Sequence, residues 1–273
     1  MVIHDRDDPR IADYRDAIGG GAADTFTAEG RLVVRRLLEG TRYRARSVLL
    51  TPAALGDLTS ALAAQPPSLA VFVASPAVIR AVVGFKFHHG CLALGERGQS
   101  AVADEIVAPE GPRVLVVLEE LADPDNVGTV FRNSAAFGAG GVLLSPGCAD
   151  PLYRKTLRVS MGATLSVPFA RAELAAGVPA LRAAGYTLVA LTPDRGAEDI
   201  AAAAGRGWPS ARLALLLGAE GAGLSEAARR TSDFCVRIPM APGVDSLNVA
   251  TACGIALHRL AGSRSGGMMG RES

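Results

Sequence analysis

The sequence predicts an α/β protein whose second half contains a parallel β-sheet. An apolar run over residues 213–217 leads directly into the glycine-rich turn 218–223, which is typical of a buried strand that ends in exposed backbone N–H groups. A second strand is expected to end at residues 238–239, since proline cannot continue a central ladder. A helix of small residues then opens at 245–250, with Asp245 or Ser246 as its predicted N-cap. Two strand ends and a helix start converge there, as in the ligand sites of open α/β folds.

The glycine-rich turn carries one acidic residue, Glu220, between neighbours with little or no side chain. A carboxylate in such surroundings can reach a ligand without being crowded, although the same glycines also fit a tight turn with no ligand. Their spacing is G-x-x-G-x-G, which differs from the dinucleotide fingerprint, and no acidic residue follows about twenty positions later. A nicotinamide-dependent oxidoreductase therefore fits this stretch poorly.

The composition is that of a globular protein with one large or two modest domains. Of its 273 residues, 49% are hydrophobic, and the formal net charge of +1 does not by itself suggest a nucleic-acid partner. No apolar run is long enough for a membrane helix, and the charged N-terminus lacks the apolar core of a signal peptide. The four cysteines form no C-x-x-C pair, which favours buried thiols in a reducing compartment. We expect a cytoplasmic protein without a metal site or membrane association.

The first half alternates predicted helices and strands, which indicates a small α/β unit. The predicted elements are a helix over 26–38, a strand over 48–50, a helix over 51–62, a strand over 69–73, a helix from 75 and a strand over 91–94. The polar, proline-flanked stretch 98–112 is the best linker candidate. The predicted domains are therefore 1–108, which includes the linker, and 109–262, followed by a Gly- and Ser-rich tail over 263–273 that is expected to be disordered.

The second half continues the alternation. A strand is predicted over 114–118, then an acidic loop and a helix through Phe137 that Asn126 could cap. Further predicted elements are a strand over 142–144, a helix over 151–161, a strand over 186–191 and an Ala-rich stretch of little structure over 197–207.

Three stretches of the second half carry a family resemblance. Residues 126–135 contain an Asn, a Gly and an Arg that open a helix, residues 217–224 form the glycine-rich turn, and residues 238–240 lead to 246–250. In this order they resemble the three motifs of the SpoU (TrmH-like) RNA ribose methyltransferases, within the SPOUT superfamily. The resemblance covers residues 114 to 260.

This resemblance implies a fold, a reaction and a partner. The expected fold is a parallel α/β domain with a deep trefoil knot, which forms a homodimer. The expected cofactor is S-adenosylmethionine, and the expected acceptor is a ribose 2′-hydroxyl in RNA. The first domain loosely resembles the RNA-binding domain of rRNA-modifying members, which favours rRNA over tRNA. A tRNA substrate, or an inactive RNA-binding or ribosome-assembly protein, remains an alternative.

The resemblance also implies roles for individual residues. Arg132 matches the family's catalytic arginine, although arginine is effectively never deprotonated, so it is better suited to orient the hydroxyl and its phosphate than to act as a base. The other predicted catalytic residues are Asn126, Glu220, Ser246 and Asn248, for which helix capping is the alternative at Asn126, Ser246 and Asn248. The predicted cofactor-binding residues are Leu217, Gly218, Ala219, Gly221, Ile238, Met240 and Leu247.

Arginines crowd residues 31–46, where Glu39 is the one opposing charge. Guanidinium groups suit phosphates, and a solvated helix face is the alternative explanation. The predicted RNA-binding residues are Arg35, Arg36, Arg42 and Arg44, together with Arg154 on the predicted helix 151–161.

Overall fold

The computed structural model describes residues 1–18, 24–83, 90–99, 101, 103–108, 110–111, 113–206, 208 and 210–262. The predicted disordered tail, 263–273, lies outside the described residues. The chain divides into two compact units. The first contains residues 1–100 and 150–166, and the second contains residues 101–149 and 167–273.

The strands alternate with helices along most of the chain. In chain order the strands are β1 (Val2–Ile3), β2 (Thr25–Glu29), β3 (Arg44–Leu50), β4 (Ala70–Ala74), β5 (Cys91–Glu96), β6 (Val114–Leu118), β7 (Gly141–Leu144), β8 (Phe169–Arg171), β9 (Tyr186–Leu191), β10 (Glu198–Asp199), β11 (Arg212–Leu217) and β12 (Phe234–Arg237). The α-helices are α1 (Ala12–Ile18), α2 (Arg31–Glu39), α3 (Pro52–Asp57), α4 (Thr59–Ala63), α5 (Pro76–Val83), α6 (Ala103–Val107), α7 (Pro124–Ala136), α8 (Arg154–Val159), α9 (Leu174–Ala183), α10 (Ile200–Arg206), α11 (Glu226–Thr231) and α12 (Val249–Gly262). Short 3₁₀ turns cover Pro9–Ile11 and Ala163–Leu165.

The first unit is built on a mixed sheet with the order β1-β4-β3-β5-β2. Strands β1, β4 and β3 are parallel, whereas β5 runs antiparallel to both of its neighbours. The core combines sheet residues such as Leu49 and Leu92 with Ile11, Tyr14 and Ile79 from the helical segments. This unit therefore combines strands and helices around one core, and its predicted role as an RNA-binding domain stays a prediction.

The helix predicted over 26–38 is wrong at its start. Residues 25–29 form β2, which pairs with β5 along its whole length, and the helix begins at Arg31. Thr25, Phe26 and Thr27 are β-branched or aromatic and therefore favour a strand. Gly30 has a φ of 95°, which glycine adopts without steric cost and which turns the chain from strand to helix.

Residues 150–166 pack with the first unit, although the predicted division after residue 108 placed them in the second. Helix α8 lies against β2. The Glu29 side chain is 2% exposed, and its Oε2 lies 3.3 Å from Arg154 Nη1 and 4.0 Å from Arg158 Nη1. Arg36 donates a hydrogen bond from Nη1 to the backbone oxygen of Met161 at 2.7 Å. These long-range contacts attach the segment to the N-terminal residues.

The second unit contains a seven-stranded sheet with the order β10-β12-β9-β11-β6-β7-β8. Every pairing in it is parallel, which confirms the predicted parallel sheet. Strand β11 lies between β9 and β6, and its residues 213–217 are almost completely buried. This central position explains its unbroken apolar run, because a parallel strand covered on both faces has no polar side.

Two local expectations for the second unit are wrong. Asp123 caps α7, since its Oδ1 accepts a hydrogen bond from the Asp125 N–H at 2.9 Å and Pro124 follows at the first helical position. Asn126 therefore does not cap this helix. The Ala-rich stretch 197–207 contains α10, because alanine is the strongest helix former.

We predict that a fragment of residues 101–273 is cut by trypsin within α8 about tenfold faster than the full chain, because the fragment lacks β2 and Glu29 and local opening exposes the backbone. The relevant sites are Arg154, Lys155 and Arg158. Arg230 on α11, in the second unit, is the matched control and should be cut at similar rates in both proteins. Equal rates within α8 would show that β2 does not hold this segment. Mass spectrometry of timed digests measures both rates.

Candidate functional site

A cavity of about 300 Å³ lies in the second unit at the carboxyl ends of three neighbouring strands. The loops after β9, β11 and β12 form its walls with the segment that leads into α12. Its lining residues are Leu191, Thr192, Pro193, Leu217, Gly218, Ala219, Glu220, Gly221, Gly223, Ile238, Met240, Ser246, Leu247, Asn248, Val249 and Ala252. This is the edge at which open α/β sheets bind ligands, and the volume falls at the lower end of the range for small-molecule pockets.

The glycine-rich turn of this cavity depends on close backbone approach. A Cβ at Gly218 would overlap the backbone of Gly223 and Leu224. The Gly223 N–H donates to the Ala219 oxygen at 2.9 Å, and Gly221 and Gly223 have φ values of 82° and 67°. The residues form a tight turn that also lines the cavity. The tight-turn interpretation of the glycine pattern is therefore confirmed, and ligand binding by this turn stays a prediction.

A polar network connects the turn to the starts of α7 and α12. Glu220 Oε1 accepts a hydrogen bond from Asn126 Nδ2 at 2.7 Å and one from Asn248 Nδ2 at 3.2 Å. Asn248 Nδ2 also donates to Asn126 Oδ1 at 2.8 Å. Hydrogen bonds to an ionised acceptor are stronger than neutral ones, so the two amides fix the position of the carboxylate. Asn126 is 5% exposed and makes these contacts in place of the predicted cap.

Asn248 also begins α12. Its Oδ1 accepts from the N–H groups of Ala250 and Thr251 at 3.0 and 3.1 Å, which satisfies two donors that the first turn of a helix leaves unpaired. The predicted cap at Asp245 or Ser246 is therefore wrong. Ser246 is exposed at the wall of the cavity, and its catalytic role stays a prediction.

Helices α7 and α12 pack closely where small residues face a polar side chain. Asn133 Nδ2 donates to the Ala250 oxygen at 2.7 Å, and a Cβ at Gly254 would lie 3.1 Å from the same nitrogen. The small residues of α12 therefore serve helix contact within this chain. Asn126 and Asn133 are one heptad apart on α7, so both turn towards the segment that contains α12.

Arg132 occupies a different face of α7. It is exposed and does not line the cavity, and its side chain makes no hydrogen bond or ion pair with any residue that the structure describes. Its guanidinium group keeps all of its donors for an outside partner. The structure does not test whether Arg132 is catalytic, so that role stays a prediction.

All seven predicted cofactor-binding residues line the cavity, although their role in binding also stays a prediction. Leu191, Thr192 and Pro193 line it as well and were missed. A signal for them exists, because they end or follow the predicted strand 186–191, and parallel neighbours place their carboxyl ends at one edge of a sheet.

The predicted RNA-binding arginines lie in the first unit and differ in their contacts. Arg35 donates to the Asp57 oxygen at 2.8 Å, and the guanidinium of Arg42 lies 5.6 Å from the ring centroid of Tyr43. Arg44 is exposed on β3, and its side chain makes no hydrogen bond or ion pair with the described residues. The arginines thus occupy a helix, a loop and a strand instead of one helical face.

The cysteines and acidic groups show no metal-site geometry within the described part of the chain. No group of three or more His, Cys, Asp or Glu residues there could hold a metal ion. Burial raises the pKa of the Cys91 and Cys253 thiols to about 12, so both thiols stay protonated at neutral pH. Among the same residues, no helix has the length and apolar character of a membrane span.

We predict that Asn126→Asp lowers the free energy of unfolding by about 1–3 kcal/mol at neutral pH, because a second carboxylate replaces the donor beside Glu220. Two adjacent carboxylates raise one another's pKa, so the loss should shrink as the pH falls and one of them binds a proton. Urea unfolding at about pH 7.5 and about pH 4.5 measures this. Asn126→Ala is the control, since it removes the donor without adding charge. An equal loss for Asp at both pH values would contradict the network.

The chain matches proteins of one family. The model of the SpoU rRNA Methylase family matches residues 113–258. An uncharacterised tRNA/rRNA methyltransferase of Mycobacterium bovis is 40% identical, over 98% of this chain and 93% of its own length. The 23S rRNA (guanosine-2′-O-)-methyltransferase RlmB of Ralstonia nicotianae is 32% identical, over 74% of this chain and 81% of its own length.

Solved structures show the same relationship. An AdoMet-bound rRNA methyltransferase from Sinorhizobium meliloti has a TM-score of 0.78 at 26% identity, and the match covers 95% of this chain and 97% of that one. The SpoU methyltransferase AviRb from Streptomyces viridochromogenes, in complex with the cofactor AdoMet, has a TM-score of 0.76 at 26% identity, with 95% and 99% covered. The match to the family model, over residues 113–258, spans the cavity and the polar network, and the chain belongs to the SpoU family of RNA methyltransferases.

Proposed function

We propose that this protein transfers a methyl group from S-adenosylmethionine to a ribose 2′-hydroxyl in RNA, and that the substrate is ribosomal RNA. The observation that carries the proposal is the cavity at the carboxyl edge of the sheet, whose turn holds Glu220 between Asn126 and Asn248. The name of the Ralstonia relative specifies guanosine-2′-O-methylation of 23S rRNA. The Mycobacterium relative is named more broadly for tRNA and rRNA, so tRNA is the alternative substrate.

The cavity suits the adenosine part of the cofactor. Leu217, Ile238 and Leu247 provide apolar contact, and the turn around Gly218 offers backbone groups that bind through hydrogen bonds without a charged side chain. When bound, the cofactor supplies an activated methyl group on a sulfonium. The walls of the cavity also exclude water from part of the ligand, which limits side reactions.

The residues of the chain would orient the acceptor. Glu220, held by two amides, can accept a hydrogen bond from a ribose hydroxyl or attract a guanidinium. Arg132 carries donors suited to a phosphate, so we propose that it orients the acceptor nucleotide. Correct positioning of two reactants supplies a large part of a rate enhancement. An inactive assembly protein is disfavoured, because Asn126, Glu220 and Asn248 form one connected network.

Three further features belong to the same proposal. We propose that the C-terminal segment of the second unit threads a trefoil knot, that the protein forms a homodimer through this unit, and that it acts in the cytoplasm. Light scattering during size-exclusion chromatography tests the dimer, and a monomeric mass at micromolar concentration would contradict it. Mapping 2′-O-methyl groups in RNA from cells with and without the protein tests the reaction and identifies the nucleotide.

We predict that Arg132→Ala lowers the rate of methyl transfer by about a hundredfold or more, because it removes an orienting group. Cofactor affinity should stay within about twofold of wild type, since Arg132 does not line the cavity. Methyl transfer from labelled cofactor to RNA and calorimetry measure the two quantities. Arg132→Lys keeps the charge without the planar fork and separates charge from geometry. A variant with a near-normal rate would show that Arg132 is not catalytic.

We predict that a fourfold alanine variant has a flatter salt dependence of RNA binding than wild type. The variant replaces Arg35, Arg36, Arg42 and Arg44. Each lost phosphate contact reduces the slope of log affinity against log salt by about 0.7 on single strands and about 0.9 on duplex. Cofactor affinity should not change, because these residues do not line the cavity. RNA affinity at several salt concentrations measures the slope.

Matched single variants separate phosphate contacts from structural roles in this cluster. The Arg44 side chain makes no hydrogen bond or ion pair with the described residues, so Arg44→Ala should change the slope with little loss of stability. Arg35 bonds the Asp57 oxygen, so Arg35→Ala also tests a structural role. An unchanged slope in the fourfold variant would remove this cluster from the RNA surface and leave Arg154 as the next candidate.

A further inference from the structure

A second cavity, of about 320 Å³, lies beside the first and shares Pro193 and Met240 with it. Its walls come from the loop after β9 and from the segment after β12. Its other lining residues are Arg195, Arg237, Ala241, Pro242, Val244 and Asp245. The feature that distinguishes it from the first cavity is the pair of arginines.

The two arginines differ in burial and in their hydrogen bonds. Arg237 is partly buried at the end of β12, and its Nε donates to the Ala197 oxygen at 3.1 Å. This bond fixes the guanidinium plane and leaves its terminal nitrogens as donors. Arg195 is exposed and makes no hydrogen bond or ion pair with any described residue. Asp245 offsets one of the two charges, so the lining retains one net positive charge.

The first cavity lacks a cation of this kind. Glu220 is the one charged residue in its lining, and that carboxylate already accepts bonds from Asn126 and Asn248. An anionic group bound at the first cavity therefore finds no counter-charge there. The neighbouring cavity is lined by two arginines, Arg195 and Arg237, and arginine forks match the geometry of carboxylates and phosphates.

We propose that the cavity around Arg195 and Arg237 is an oxyanion-binding site that works together with the adjacent cofactor pocket. This inference rests on the proposed function. Two ligands of that reaction carry the required group. One is the carboxylate at the amino-acid end of S-adenosylmethionine, for which Asp245 would face the neighbouring ammonium, and the other is a phosphodiester of the RNA.

Arg195→Ala is the first test, because this side chain has no described contact whose loss would disturb folding. Arg237→Lys is the second, since it keeps the charge but removes the planar fork. Arg230→Ala is the matched control. It removes one exposed arginine from the same unit, outside both cavities, where its partner is Glu226 at 2.9 Å.

Calorimetry with S-adenosylmethionine and with 5′-methylthioadenosine tests whether the site binds the cofactor's carboxylate, because 5′-methylthioadenosine lacks the amino-acid end. If the site binds the cofactor's carboxylate, Arg195→Ala lowers the affinity for S-adenosylmethionine about threefold to tenfold, as expected for a partly exposed charge-assisted bond. The affinity for methylthioadenosine should stay unchanged. Arg237→Lys should show the same selectivity, and Arg230→Ala should bind both compounds like wild type.

Binding of a mixed-sequence single-stranded RNA at several salt concentrations tests whether the site binds an RNA phosphate. If the site binds a phosphate, both cofactor compounds bind normally to Arg195→Ala, and the salt slope for RNA falls by about 0.7 relative to Arg230→Ala. Normal cofactor affinities together with an unchanged RNA slope would overturn the oxyanion site. Failure of the wild-type protein to bind S-adenosylmethionine would instead overturn the proposed function.

Discussion

The hydrogen bonds that Glu220 accepts from Asn126 and Asn248 connect three segments that are far apart in the sequence. Glu220 lies in the turn after β11, Asn126 in the first turn of α7 and Asn248 at the start of α12. Because Asn248 also caps α12, one side chain both begins that helix and positions the carboxylate. The turn itself depends on Gly218, where the chain approaches residues 223 and 224 too closely for any side chain. The geometry of the candidate site therefore follows from one amide network and one glycine.

Much of the second unit could be predicted from the sequence because its signals are local. Strands β6 and β9 have the predicted bounds, since a short apolar run in a buried parallel strand ends where the polar loop begins. The residues that cap the helices were harder to predict. Asp123, Asn126 and Asn248 all have side chains that suit an N-cap, and the sequence alone does not show which of them instead bonds a residue 94 positions away.

The candidate site was predicted in part. The family motifs identified the walls formed after β11 and β12, whereas the wall after β9 was missed because residues 191–193 carry no distinctive side-chain chemistry. The place of residues 150–166 was not predictable from local patterns either. Their attachment involves long-range contacts, among them the one between Glu29, a buried carboxylate, and Arg154, more than a hundred residues later. In the sequence, both residues resemble ordinary surface charges.

The distribution of charge explains how a nearly neutral chain can act on RNA. A net charge of +1 produces no strong overall field, so attraction to phosphates has to come from local groups. The first cavity contributes little, because its one charged lining residue is acidic. Cations are concentrated instead in residues 31–46, on α8 and in the second cavity. Several of them already pair with Asp57, Glu29 or backbone oxygens, and a paired arginine offers fewer donors to a phosphate. The side chains of Arg44, Arg132 and Arg195 have no hydrogen-bond or ion-pair partner among the described residues, so each keeps its donors for a phosphate or another anionic group.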